Sequence, residues 1–236
     1  MKQSIILLHG LFGELSNWKT VTDYFKSSYN IFVPNLPLFD NHKEDELEYL
    51  VNWLENYIKN LNLKNIILVG NSLGGHVAII YTHRNLDNVQ ALVLTGSSGL
   101  YENNNLGSFP RRHSYSYIQK HAANTFYDPA VATKELVDDV FEIVKDNIKC
   151  FKIIKTAKKA QRNQVNELLP QITIPVLLIW GKEDTITPFN VAKDFQSMLP
   201  DAILIPISNC GHAPMMENPE RFNEILADFL KQKMLT

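Results

Sequence analysis

Residues 70–75 of this 236-residue chain read GNSLGG and are the strongest indication of its fold. They follow Asn65 to Val69, a run with the Ile, Leu and Val content of a buried strand, and they precede a helical stretch that begins near His76. A serine flanked by glycines between a strand and a helix is typical of a nucleophile elbow, whose strained turn projects the hydroxyl above the sheet. Ser72 is therefore the candidate nucleophile.

A serine hydroxyl at neutral pH needs a neighbouring base and a third group that holds the base in the right tautomer. Two later strands are followed by suitable side chains: Asp184 comes after Val176 to Trp180, and His212 comes after Ala202 to Ile205. In an open parallel sheet, reactive groups gather at the carboxyl ends of the strands. We therefore expect these two side chains to meet Ser72 there.

Two other carboxylates compete with Asp184 for the role of the acid. Glu183 is the nearest rival, and Asp40, in the loop after the second strand, is a weaker one. A loop Asp is more often a turn former, and a lone His is more often a surface or core residue with a satisfied ring. The prediction therefore depends on the three residues together, in the chain order Ser, Asp, His at successive strand ends.

Acyl transfer also needs backbone N–H groups aimed at the negative charge that develops on the substrate oxygen. We expect one donor to be Leu73, directly after the nucleophile, and the other to be Leu11, in the glycine-flanked loop after the first strand. Phe12 is expected to line the substrate pocket. The alternative is that this loop is a plain strand-to-helix turn.

Six apolar runs alternate with stretches of helical period along most of the chain. The runs are rich in Ile, Leu and Val without polar alternation, as in strands covered by helices on both faces. This pattern predicts an α/β fold with a mostly parallel, doubly wound sheet of about six strands. It breaks between residues 98 and 170, where several helical patterns occur without a convincing strand. We predict a core at 1–97 and 171–236 with a helical cap inserted at 98–170.

Composition excludes several other functions. The formal net charge of −2 provides no cationic field for nucleic acid. The two cysteines have no spacing that would suggest zinc or a redox pair. The triad mechanism needs neither a metal nor an organic cofactor, so we expect none. No apolar run approaches a membrane span of about 20 residues, and the N-terminal run is too short for a signal peptide. We expect a cytoplasmic protein without a membrane partner.

The motifs together resemble the α/β-hydrolase superfamily, in its branch of small cap-bearing serine esterases, carbon–carbon bond hydrolases and haloperoxidase-like proteins. The resemblance runs from HG at residues 9–10, through the elbow and GKED at 181–184, to GHAP at 211–214. It differs from the family pattern at the N-terminal hairpin, which looks absent, and at residues 35–40. Similar epoxide hydrolases and haloalkane dehalogenases carry Asp at the nucleophile position, so the resemblance implies acyl transfer through a serine ester.

The expected function is that of a serine hydrolase, a carboxylesterase or thioesterase, acting on a small-molecule ester or thioester through a Ser-His-Asp triad and an acyl-enzyme. Three alternatives use the same scaffold. The first is a carbon–carbon bond hydrolase, the second is an acyltransferase, and the third is a ligand-binding sensor without catalysis. An intact triad argues against the sensor, because a binder needs no polarised nucleophile.

The cap region contains cations at intervals of three or four residues, with apolar residues between them. The cations are Lys145, Lys149, Lys152, Lys155, Lys159 and Arg162, and the apolar residues are Val144, Ile148, Phe151 and Ile154. This spacing predicts one amphipathic helix with a basic outer face. The simplest interpretation is a solvated surface. The alternative is a binding face for an anionic partner, such as an acyl-carrier or coenzyme-A thioester.

Overall fold

The computed structural model describes residues 2–102 and 109–234. Within these ranges one sheet has the strand order β2-β1-β3-β4-β5-β6, and every neighbouring pair is parallel. The strands are β1 (Ser4–Leu8), β2 (Asn30–Phe32), β3 (Ile66–Asn71), β4 (Val89–Thr95), β5 (Val176–Gly181) and β6 (Ala202–Ile207). The chain adds β2 on one side of β1 and then β3 to β6 on the other. The predicted six-stranded, doubly wound sheet is confirmed.

Helices connect most of the strands. They are α1 (Lys19–Phe25), α2 (Glu46–Asn60), α3 (Leu73–Arg84), α4 (Tyr115–Ala123), α5 (Lys134–Lys145), α6 (Asn147–Arg162), α7 (Phe189–Met198), α8 (Pro214–Glu217) and α9 (Pro219–Met234). Within the described residues, no helix combines the length and the apolar character needed to cross a bilayer.

The centre of the sheet is fully buried. Every residue of β1, β3 and β5 is inaccessible or nearly so, whereas the edge strands β2 and β6 are half-buried. Helix α3 is buried from Leu73 to Thr82 because it packs against the sheet, α2 and the turn at residues 169–171. The elbow therefore lies between two elements that cannot move without disrupting the core.

The segment between β4 and β5 contains α4, α5 and α6, and its described residues form no strand. The single long helix predicted across residues 144–162 is wrong, because the chain breaks at Asp146. The Oδ1 atom of Asp146 accepts the N–H groups of Ile148 (2.8 Å) and Lys149 (2.9 Å), so this side chain caps the start of α6. The domain bounds at 98 and 170 stay a prediction.

The basic face predicted from the spacing is exposed on α6, where Lys149, Lys155, Lys159 and Arg162 all reach solvent, but several of its lysines also bind neighbouring elements. Lys155 forms an ion pair with Glu46, and Lys159 forms one with Asp45, so both lysines attach α6 to the start of α2. The ammonium of Lys152 donates to the carbonyl of Asp40 (2.7 Å) in the loop after β2. Both paired lysines stay at the surface, with 49% of the Lys155 side chain and 45% of the Lys159 side chain exposed. Lys155 supplies the paired charge that Glu46, which is 7% exposed, requires.

Two apolar side chains of α6 also face solvent. Ile148 is 68% exposed and Phe151 is 66% exposed. The buried face of the helix is formed by smaller residues, including Cys150, Ile153 and Ala157. Helical spacing predicted that an apolar stripe exists, but the partner surface decides which stripe is buried.

Candidate active site

The elbow places Ser72 between β3 and α3 in a conformation that side chains rarely adopt. Its φ is +53° and its ψ is −121°, a geometry that costs about 1–3 kcal/mol for a non-glycine residue. Backbone hydrogen bonds hold it there: the N–H of Ser72 donates to Thr95 (3.2 Å), and its carbonyl accepts from Ser98 (3.2 Å). The end of β4 and the segment that follows it therefore maintain the strained turn.

The glycines around Ser72 allow close backbone contacts. A Cβ at Gly74 would lie 2.3 Å from the carbonyl oxygen of Leu8, and a Cβ at Gly70 would lie 2.5 Å from that of Gly74. A side chain at Gly74 would push the elbow away from β1, and one at Gly70 would push β3 away from the start of α3. The sequence pattern predicted this crowding.

The structure brings His212 and Asp184 into direct contact. The Nδ1 atom of His212 lies 2.9 Å from Oδ2 of Asp184, the side chain of Asp184 is inaccessible, and that of His212 is 6% exposed. The acid is itself fixed, because its Oδ1 accepts the N–H groups of Ile186 (2.8 Å) and Thr187 (2.9 Å). The hydroxyl of Thr187 donates to Oδ2 (2.8 Å). Oδ1 thus serves the turn alone, whereas Oδ2 is shared between the Thr187 hydroxyl and the imidazole.

The rival carboxylates have other partners in the described part of the chain. Glu183 accepts the N–H of Cys210 (3.0 Å), which supports the loop of His212 from outside the site. Asp40 accepts the hydroxyl of Tyr49 (3.0 Å) on α2. Because neither bond involves His212, the geometry favours Asp184 over both.

The imidazole of His212 has more than one negative neighbour. Burial by itself would lower the pKa of His212, but the charge and hydrogen bond of Asp184 raise it, and Glu102 and Glu217 add smaller contributions in the same direction. The net effect is a pKa above the ordinary value. Glu102, which hydrogen-bonds to Ser98, has its own pKa raised by burial.

Ser72 and His212 line the same cavity, which has a volume of about 180 Å³. Its other walls come from the loop after β1, the segment between β4 and β5, and the loop of Asp184. Half of the lining side chains are apolar, including Leu11, Phe12, Phe109, Ile118, Val140 and Ile186. The polar ones are neutral amides and hydroxyls, such as Asn124 and Thr125, together with the ring of His121. Phe12 lies where the sequence predicted it.

The two predicted oxyanion donors belong to two segments that adjoin Ser72, namely the start of α3 and the loop after β1. Leu73 is the first residue of α3, so its N–H belongs to the helix turn that has no intrahelical acceptor. Leu11 lines the cavity, and a Cβ at the preceding Gly10 would lie 3.2 Å from the Cβ of Ser72. The loop after β1 therefore contacts the elbow, as an oxyanion site requires.

A buried amide that the sequence analysis missed connects these parts. The Nδ2 group of Asn71 donates to the carbonyls of His212 (3.0 Å) and Thr95 (2.9 Å), and its Oδ1 accepts the hydroxyl of Ser16 (2.5 Å). Ser16 in turn accepts the N–H of Gly10 (3.0 Å). The Asn71 side chain thus connects three segments: the loop after β1, called the oxyanion loop below, the elbow, and the loop that contains His212, called the base loop below. The position of Asn71, directly before Ser72 in the sequence, was the signal that could have identified this residue.

Thr187 and Glu102 were also missed. Thr187 is three residues after Asp184, a spacing at which a loop hydroxyl can hydrogen-bond to the carboxylate. No local sequence pattern indicates Glu102. Within residues 2–102 and 109–234, the acidic, His and Cys side chains form no cluster of three that could hold a metal ion.

Known proteins resemble this chain over almost its whole length. Residues 5–225 match the model of the alpha/beta hydrolase family. A crystal structure of MGS-MChE2, an alpha/beta hydrolase enzyme from the metagenome of lagoon sediments at Mar Chica, Morocco, is 38% identical with a TM-score of 0.79, and the match covers 99% of this chain and 92% of the other.

Two curated relatives are more distant in sequence. The uncharacterized hydrolase YugF of Bacillus subtilis is 25% identical over 98% of this chain and 90% of its own length. A 2-hydroxy-6-oxononadienedioate/2-hydroxy-6-oxononatrienedioate hydrolase of Paraburkholderia phymatum is 27% identical over 98% and 88%. With the family model matched along nearly all of the sheet and site, the chain belongs to the alpha/beta hydrolase family.

Proposed function

We propose that this hydrolase cleaves uncharged carboxylic esters through an acyl-enzyme formed on Ser72. The observation that carries the proposal is the buried 2.9 Å contact between His212 Nδ1 and Asp184, at a cavity that Ser72 also lines. Because Nδ1–H donates to the carboxylate, Nε2 keeps a lone pair that can accept the serine proton. Such an arrangement turns a weak alcohol into a nucleophile.

The proposed reaction has two halves. Ser72 Oγ attacks the ester carbonyl while His212 takes its proton, and the N–H groups of Leu11 and Leu73 stabilise the oxyanion. The imidazolium then protonates the leaving alcohol, which leaves the acyl group on Ser72. A water molecule deprotonated by His212 attacks this ester and regenerates the serine.

The cavity lining favours an uncharged acyl group of modest size. Its described lining combines apolar side chains with hydroxyl, amide and imidazole groups and contains no carboxylate, and its volume is about 180 Å³. An acyl chain of several methylenes would replace water along Phe12, Phe109 and Ile118, and each buried CH₂ contributes about 0.8 kcal/mol. A charged acyl group would lose its hydration there.

Carbon–carbon bond hydrolysis is the second candidate, because the relative from Paraburkholderia phymatum is named for it. The compounds in that name are dicarboxylates, which need cationic partners in a buried site. Among the described residues that line the cavity of this chain, none is Lys or Arg. This composition favours a neutral ester over a dicarboxylate.

The thioester alternative depends on an anionic carrier at the cap. Lys155 and Lys159 are already paired with carboxylates at the start of α2, which leaves a smaller basic surface that includes the exposed Lys158 and Arg162. We therefore consider coenzyme-A and carrier-bound thioesters less favoured substrates than simple esters. An acyltransferase would share the acyl-enzyme and differ in its acceptor.

A pair of substrates matched in length tests the proposed specificity. We expect kcat/KM for 4-nitrophenyl hexanoate to exceed that for the mono-4-nitrophenyl ester of adipate by about 100-fold, because the distal carboxylate of adipate would be buried without a cation. Release of nitrophenol measures both rates.

The Ser72→Ala variant provides the background rate for both esters. Equal or faster cleavage of the adipate ester would contradict the proposal, and turnover of a dienedioate with neither ester cleaved would favour the carbon–carbon bond hydrolase.

The pH dependence of kcat/KM should show an acid limb governed by His212. The base must be neutral to accept the serine proton, so activity falls as pH decreases through its pKa. Because Asp184 and the neighbouring carboxylates raise this pKa, we expect the midpoint above the ordinary histidine value of about 6.5. A midpoint below 6 for hexanoate ester hydrolysis would contradict this electrostatic description.

A further inference from the structure

The segment Asn124–Asp128, which follows α4 and is called the cap segment below, contacts both loops of the catalytic pair. The N–H of His212 donates to the carbonyl of Thr125 (2.9 Å). The hydroxyl of Thr185, next to Asp184, donates to the carbonyl of Asn124 (3.2 Å). The cap segment is therefore bonded to the loop of the base and to the loop of the acid.

One carboxylate connects the cap segment to the base loop. Glu217, at the end of α8, accepts the N–H of Gly211 at Oε1 (2.8 Å) and the N–H of Tyr127 at Oε2 (2.6 Å). Its side chain is half-buried, and none of the catalytic steps above uses it. We propose that Glu217 is a positioning residue that clamps the cap segment to the base loop, so that the acyl cavity and the orientation of His212 are set together.

A carboxylate suits this position better than an amide. Its two oxygens each accept one backbone N–H, and bonds to a charged acceptor are stronger than neutral ones. Glutamine offers a single acceptor oxygen, so its NH₂ group would face either Gly211 or Tyr127. The contact is also tight, because a Cβ at Gly211 would lie 2.8 Å from the nitrogen of Tyr127 and 2.9 Å from the carbonyl oxygen of Thr125.

The clamp is coupled to substrate size through the cavity wall. Asn124 and Thr125 of the cap segment line the cavity that contains Ser72. If the segment moves away from the base loop, the wall that contacts a long acyl chain moves with it, whereas a short acyl chain hardly reaches it. Loss of the clamp should therefore raise KM more for a longer ester than for an acetate.

The charge of Glu217 gives a second readout. The carboxylates of Asp184, Glu102 and Glu217 each raise the pKa of His212. Removing the charge of Glu217 should therefore move the acid limb of kcat/KM to lower pH. A merely structural role would leave this midpoint unchanged.

The inference rests on the proposed function, and Glu217→Gln tests it. We expect kcat/KM for 4-nitrophenyl hexanoate to fall about 10- to 100-fold, with a larger rise in KM than for the acetate ester and an acid limb at lower pH. Glu217→Asp keeps the charge but is one methylene shorter, so it should lose a similar part of kcat/KM while keeping the wild-type midpoint. This second variant carries the test if Glu217→Gln does not fold.

Glu183→Gln is the matched control, since Glu183 supports the same loop through Cys210. We expect it to lower the rates of both esters equally. Glu217 variants within twofold of wild type, or indistinguishable from Glu183→Gln in rate, size dependence and midpoint, would overturn the inference. If wild type neither cleaves the esters nor reacts with a fluorophosphonate, the proposed function fails; if wild type does both and the Glu217 variants match it, the clamp alone fails.

Discussion

Ser72→Ala is expected to reduce kcat for 4-nitrophenyl hexanoate by roughly 10⁴- to 10⁶-fold, because removing a triad nucleophile removes the whole acyl-enzyme route. The residual rate would come from binding and from the N–H groups of Leu11 and Leu73. A fluorophosphonate should add one mass equivalent to wild type at Ser72 and none to the variant, which also separates an enzyme from a ligand sensor.

The fold should survive this change. Alanine tolerates the same positive φ as poorly as serine does, so the strain at position 72 is unaltered. We expect the thermal midpoints of the two proteins to agree within a few degrees. Undiminished esterase activity in purified, folded Ser72→Ala would refute the assignment of the nucleophile.

Asp184→Asn is expected to lower kcat by about 10⁴-fold, the loss seen when the acid of a serine-protease triad is replaced by its amide. The turn explains why. Because the N–H groups of Ile186 and Thr187 need an acceptor at Oδ1, the amide must place its oxygen there and its NH₂ toward His212. The imidazole would then accept at Nδ1 and carry its proton on Nε2, which leaves no lone pair for Ser72.

Steady-state kinetics on the hexanoate ester measure this effect, and Glu183→Gln is again the control. Its carboxylate is adjacent in sequence but bonds to Cys210, so its loss should cost far less. A smaller loss of kcat for Asp184→Asn than for Glu183→Gln would contradict the assignment of Asp184 as the acid.

The parts of this protein that depend on local pattern were predictable from the sequence. Unbroken apolar runs identified the strands, and the glycines beside Ser72 identified the elbow, because both patterns have local steric causes. The order of the strand ends then indicated Asp184 and His212. The choice between Asp184 and Glu183 was less certain, since it depends on which way a three-residue turn directs each carboxylate.

The parts that depend on distant partners were not predictable. Helical spacing in α6 predicted a basic face, but not that Glu46 and Asp45 of α2, about a hundred residues earlier, would pair with two of its lysines. The contacts of Glu217 join α8 to the cap segment, about ninety residues away, and no spacing rule connects those positions. Pairings of this kind arise from tertiary packing and become visible when the elements are assembled.

The amide of Asn71 has a consequence for how this site can evolve. The base loop, the end of β4 and the oxyanion loop all hydrogen-bond to it directly or through Ser16. Substitutions in one loop should therefore change the effect of substitutions in another, since residues of one polar network are energetically coupled. Epistasis centred on a single core amide would restrict neutral drift in three separate stretches of the gene at once.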